Sequence, residues 1–260
     1  MDFQLLLDAK PEQFHPVIAD VHAPYEEQTL PVLWALGDPD NRGMTRIALS
    51  DEQQAQVHDL LGQGAAFLRA LTGLDVRTHH PDVWMVERGS PIYELMTPAW
   101  CGAAHPPLRD LIVLREGDQA HPRDMAGQIL HEQTHSLFAH AADAQPDAYA
   151  SPLRSGFDEL VVEFVCEALI YQALKTGGRT IDRAGVTQAA RKPVAGAQTF
   201  RLMEALDPER RRDTRKLAFY AAQLNRQVLT CRDDRQAARL LDRVCRSQRG
   251  VDGWTALTAV

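Results

Sequence analysis

The sequence has few cysteines, no long apolar run and no strong charge of either sign, and each shortage removes a class of protein. Its four cysteines, Cys101, Cys166, Cys231 and Cys245, are scattered without a Cys-x-x-Cys pair. They form neither the disulfide framework of a small secreted domain nor a zinc ribbon, so buried thiols in a reducing compartment are expected. No window approaches the roughly 18 uninterrupted apolar residues that a membrane-spanning helix needs. The opening Met1-Asp2-Phe3-Gln4-Leu5-Leu6-Leu7-Asp8 lacks a basic start, and its apolar run is too short for a signal peptide. A cytoplasmic protein without a membrane partner is the expectation, with the mature part of a secreted precursor as the alternative. A formal net charge of -7 argues against a general nucleic-acid binder. There is no Gly-rich phosphate loop and no Gly-x-Ser-x-Gly elbow, which leaves nucleotide-dependent and serine-hydrolase chemistry without support. No internal repeat suggests a solenoid.

What is present is an ordinary globular composition, 45% hydrophobic and 24% charged over 260 residues. That length can bury a sizeable core. Residues 11–43, rich in Pro, Asp and Gly, read as an irregular arm. Ser50 with Gln53 three residues on has the pattern of a capping box. It opens a helix whose apolar positions Val57, Leu60, Leu61, Phe67, Leu68 and Leu71 run to Gly73. Three short β-branched or aromatic runs follow and predict strands: Asp75–Thr78, Val83–Glu87 and Leu111–Arg115. From Pro122 onward helical spacing dominates, over about 122–142, 157–176, 197–206, 209–229 and 233–247. The expected fold is α+β, with a small sheet, one motif-bearing helix and a mostly helical C-terminal half. The expected division is an arm at 1–50, a core at 51–176 and a helical lobe at 177–260, or all of these as one domain.

The motif is His131-Glu132-Gln133-Thr134-His135. On a helix, two histidines four apart lie one turn apart on one face, where they can share an ion. Glu132 projects about 100° around the axis from His131, beside such an ion rather than onto it. Zinc there acidifies a bound water toward about pKa 7, and Glu132 is placed to take its proton. Chance alone gives this pattern in roughly one chain in forty of this length and composition, so its surroundings must carry the reading. They do: it sits in an apolar helical stretch directly after a predicted strand.

A catalytic zinc needs a third protein ligand. The next helix offers Glu159, Glu163 and Glu167 at i, i+4 and i+8 on an otherwise apolar run that includes Leu160, Val161, Val162, Phe164 and Val165. Carboxylates on so apolar a helix need a cation or strong donors, which a zinc ion on the preceding helix would meet. From about Leu111 to Ile170 the chain resembles the gluzincins, the thermolysin-like branch of the zincin metallopeptidases. There, a strand leads into the His-Glu-x-x-His helix and a later glutamate completes the site. Glu159 lies 24 residues after His135, within the spacing of that branch. Where thermolysin-like enzymes carry Asn-Glu-x-x-x-Asp, this chain has Asp158-Glu159-x-x-x-Glu163. The resemblance implies zinc as the cofactor and a peptide or protein as the substrate. It implies His131, His135 and Glu159 as ligands, Glu132 as general base and Glu163 as the outer residue that orients a histidine. The two replacements leave Glu163 open as the ligand instead.

It further implies that Leu111–Arg115, or a strand near it, is the edge along which an extended peptide binds. A second electrophile at the oxyanion is also implied, for which Tyr149, Tyr171, His140 and Arg154 are near in sequence. The metzincin branch would need a histidine at position 141, which is alanine. Two other readings stand beside the peptidase: a helical interaction or regulatory protein with a structural or inactive zinc site, and a zinc hydrolase of a non-peptide amide. Residues 201–260 are mildly basic, but acids interleave the arginines, which suits a solvated helix face better than a nucleic-acid surface. Cys101-Gly102-Ala103-Ala104-His105 is a loop that could bring a thiolate near the zinc, and a buried thiol beside a turn glycine explains it equally well.

Overall fold

Ser50 starts the first long helix as its sequence predicts. In the computed structural model its hydroxyl accepts from the Gln53 amide at 3.2 Å, and the Gln53 side chain accepts from the Ser50 amide at 2.9 Å. Helix α1, Asp51–Thr72, ends where Gly73 takes a left-handed φ of 66° and its N–H reaches the Arg69 carbonyl. The residues described are 45–74, 81–96, 103–104, 111–117, 122–142, 144, 146–149, 151–170, 173–174, 176–177 and 214–246. The predicted arm at 11–43, the strand at 75–78, the helix at 197–206 and Cys101, Gly102 and His105 lie outside them.

Four strands form one sheet: β1 (Arg46–Ile47), β2 (Asp82–Val86), β3 (Ala103–Ala104) and β4 (Leu111–Arg115), in the order β1-β2-β4-β3. β2 and β4 run parallel with Trp84 opposite Val113, and the two outer pairings are antiparallel. Leu111, Ile112, Val113 and Leu114 are all buried, as expected of an interior strand covered on both faces. On the side away from β2, β4 pairs with β3 at Val113 and Leu114, so among the described residues the outer strand there is the neighbour β3.

A short helix α2, Pro91–Met96, lies between β2 and β3. After β4 come α3 (Pro122–Ala141), a single turn α4 (Pro146–Tyr149), and α5 (Pro152–Val162), which widens into a π-helical stretch at Glu163–Ile170. Helices α6 (Thr214–Leu229) and α7 (Asp234–Arg246) follow. Helix α5 begins five residues before its apolar spacing suggests. The Ser151 hydroxyl accepts from the Arg154 amide at 3.0 Å, with Pro152 at the first helical position, a pairing suited to a helix start.

The larger core joins α1, α3, α5, α6 and α7 through Leu68, Leu137, Phe138, Phe157, Leu224 and Leu241. A smaller one seats α1 and α3 on the sheet through Val57, Leu61, Ile112, Leu114 and Ile129. Where α1 crosses α3, a Cβ on Gly64 would come within 2.4 Å of the Gln133 side-chain oxygen and 2.6 Å of Leu130. A larger residue there would have to push both side chains aside, and Gln133 secures the crossing by donating to the Leu61 carbonyl at 2.7 Å. This contact fixes α3 between its two histidines. Among the described residues, no helix is long and apolar enough to cross a membrane.

Candidate metal centre

Helix α3 emerges behind β4 with Ile129, Leu130, Leu137 and Phe138 buried. That leaves His131, Glu132 and His135 on its partly exposed side. The two imidazoles sit edge-on, 4.8 Å between ring centres, with their Nε2 atoms 3.1 Å apart. Glu159 of α5 reaches both: its Oε1 is 3.2 Å from His131 Nε2 and its Oε2 is 3.0 Å from His135 Nε2. Two ligand atoms at about 2.1 Å from a tetrahedral ion stand roughly 3.4 Å apart, and here the two Nε2 atoms are 3.1 Å apart with a different oxygen of Glu159 against each. His131, His135 and Glu159 thus form a group that can hold a metal ion. Their side chains are 15%, 13% and 26% exposed, so one side of the group remains open to solvent.

The electrostatics point the same way. Burial disfavours a charged imidazole at His131, yet the charge and hydrogen bond of Glu159, with help from Glu132, lift its pKa to about 9. Burial likewise opposes charging His135, and Asp158 and then Glu159 raise it well above its ordinary value. Glu159 would be pushed toward its neutral form by burial, but His131 and His135 hold its carboxyl well below the usual range. Two lone-pair nitrogens and a carboxylate turned toward one point create a place for positive charge. A proton fills that need in part, and a metal ion competes for the same atoms.

Outside the ligand triangle, the carboxylate contact to an imidazole Nδ1 comes from a residue the sequence reading used only as a departure from the family pattern. Asp158 Oδ2 lies 2.5 Å from His135 Nδ1, and Asp158 Oδ1 accepts from Asn225 Nδ2 at 2.6 Å. Asp158 is 1% exposed and Asn225 is fully buried. Asn225, on α6 and 67 residues further along, carried no signal in the sequence. Glu163, expected as the orienting carboxylate, has its Oε1 3.8 Å from His131 Nδ1, beyond hydrogen-bond length. The side chain of Glu167, the third member of the expected stripe, lies outside the described residues.

No family model matches the chain, and no curated protein or solved structure is significantly similar to it. The gluzincin resemblance is therefore supported by the grouping of His131, His135 and Glu159 and by nothing wider.

Among the residues considered for an oxyanion role, Arg154 is committed to structure. It donates to Asp234 at 3.1 Å, to the Cys231 carbonyl at 2.8 Å and to the Asp147 carbonyl at 2.8 Å. Tyr149 is buried, His140 is exposed in the last turn of α3, and Tyr171 lies outside the described residues.

Proposed function

We propose that the protein is a zinc-dependent metallohydrolase acting on peptides. In this reading His131, His135 and Glu159 hold the zinc and Glu132 is the general base. The observation that carries it is the meeting of two imidazole Nε2 atoms and the Glu159 carboxylate, from two helices, close enough together to hold one ion. Partial exposure of all three ligands favours a catalytic over a structural site, since a catalytic zinc keeps one position open. When bound, zinc supplies Lewis acidity and lowers the pKa of a coordinated water toward about 7.

The chain's own residues do the rest. Glu132, next to a ligand and turned about 100° from it, receives the proton and later delivers it to the leaving amine. Glu159 neutralises part of the metal's charge. Asp158 keeps a proton on His135 Nδ1, so that Nε2 presents its lone pair. The end strand β3 packs against α3, the helix that carries His131 and Glu132, which favours an extended peptide as substrate.

Metal analysis of purified wild type and His131→Ala tests the first half. One zinc per wild-type chain and none in the variant is expected, and a wild type unable to take up zinc defeats the proposal. Cleavage of a peptide library tests the second half. Glu132→Gln should keep its zinc and lose about 10²- to 10⁴-fold in rate, and equal cleavage by both proteins would remove Glu132 from its role.

A further inference from the structure

We infer that Asn225 is a positioning residue of the metal centre, acting through Asp158 on His135. Its place in the fold is hard to explain by packing. It is fully buried on α6 beside Leu224 and near Val228, both of them buried as well. Asparagine is a weak helix former, and burying its amide costs free energy unless both ends are hydrogen-bonded. Only one end is: Nδ2 donates to Asp158, while Oδ1 is buried without a hydrogen-bond partner among the described residues. An apolar side chain of similar size would fill the space without that cost. What it could not do is donate to a buried carboxylate.

Asp158 needs that donor. At 1% exposure it has almost no access to water, and its two oxygens are divided between His135 Nδ1 and Asn225 Nδ2. With both oxygens held, the orientation of the carboxylate is fixed. A fixed acceptor in turn fixes the tautomer and direction of His135. Without Asn225 the carboxylate has one unpaired oxygen in a dry site. It can then turn away from the imidazole, which weakens its hold on Nδ1–H. The centre is thus assembled from three helices rather than two, with α6 contributing through a chain of three side chains.

The geometry stands by itself, while its consequence for metal affinity rests on the zinc reading above. A double-mutant cycle on the full-length chain tests it, with zinc affinity measured by competition with a chelator. Asn225→Leu and Asp158→Ala should each weaken zinc binding by about tenfold or more. The double variant should bind no more weakly than Asp158→Ala alone, because Asn225 has no other route to the metal. Independent, multiplying losses would overturn the inference, as would wild-type affinity in Asn225→Leu. Asn225→Ala replaces the leucine variant if the latter does not fold.

A second readout needs no metal. In the zinc-free protein the His135 Nδ1–H proton should resonate far downfield in wild type and move upfield in the Asn225 variant, and an unmoved signal would also overturn the inference. A wild type that takes up no zinc but shows this shift defeats the zinc reading and leaves the positioning role standing.

Discussion

Helices α3 and α5 both carry residues of the metal centre, but only α3 places them by its own periodicity. His131 and His135 are one turn apart, and any regular helix would bring their Nε2 atoms near each other. α3 is regular over Pro122–Ala141, held against α1 by the Gly64 crossing and against the sheet by Ile129. α5 is different. It is buried on most of its surface, through Phe157, Asp158, Val161, Val162, Phe164 and Val165, and it changes to a wider helix at Glu163. Its site residues are placed by what the helix packs against. Glu159 and Asp158 are neighbours in sequence, yet one faces the Nε2 atoms and the other reaches around to His135 Nδ1. π-helical stretches in otherwise regular helices recur at functional sites, and this one starts at the residue whose carboxylate lies near His131. A helix can set a pair of ligands alone. The third ligand and its support need a second element in the right place.

The largest expected effect breaks this comparison at the ligand level. Glu159→Ala should weaken zinc binding more than about 100-fold, beyond the range typical of outer partners, and Glu163→Ala by no more than about tenfold. Chelator competition on the two variants decides it, and the reverse order would make Glu163 the third ligand.

The next effect concerns protons. In the metal-free protein His131 keeps its proton to about pH 9, against an ordinary value of 6.5, so its contribution to stability is complete below about 6.5 and lost as pH rises through about 9. Glu159, held below its ordinary 4.5, contributes above that value and loses its contribution on acidification. Urea unfolding of the metal-free protein should therefore show greatest support from this pair between about pH 4.5 and 6.5. Stability should decline toward pH 9, and the decline should disappear when zinc replaces the proton. A flat profile in the metal-free protein would show that the two histidines and Glu159 do not meet as described.

The smallest effect tests how firmly α3 is seated. Gly64→Ala puts a methyl group 2.4 Å from the Gln133 side-chain oxygen. It should cost about 1–3 kcal/mol in unfolding free energy, with only a slight loss of zinc affinity. A large loss of affinity with stability unchanged would mean that α3 is positioned by the metal rather than by α1.

Much of the framework was legible because its signals are local. The capping box at Ser50 and Gln53, the C-terminal turn at Gly73, the apolar run Leu111–Leu114 and the helix from Pro122 all depend on residues a few positions apart. β2 is displaced by one residue from its expected span, and α5 starts at a Ser151-Pro152 cap that apolar spacing does not register. The π-helical turn was not legible. Its five-residue hydrogen bonds arise from packing and leave the apolar pattern of Glu163–Ile170 unchanged. The position of β4 was not legible either, since a strand's sequence shows that it is buried but not whether both of its edges are paired.

The same division runs through the site. The sequence by itself determined that two imidazoles share a helix face with Glu132 beside them, because 3.6 residues per turn is a property of the backbone. It also placed carboxylates on the following apolar helix, where burial requires them to find positive partners. Only the tertiary structure decided which carboxylate meets the imidazole Nε2 atoms, and that Asp158 reaches His135 Nδ1. Only the tertiary structure brought in Asn225, whose contact spans 67 residues. Such contacts are set by how helices cross in three dimensions, and no spacing along the chain encodes a crossing.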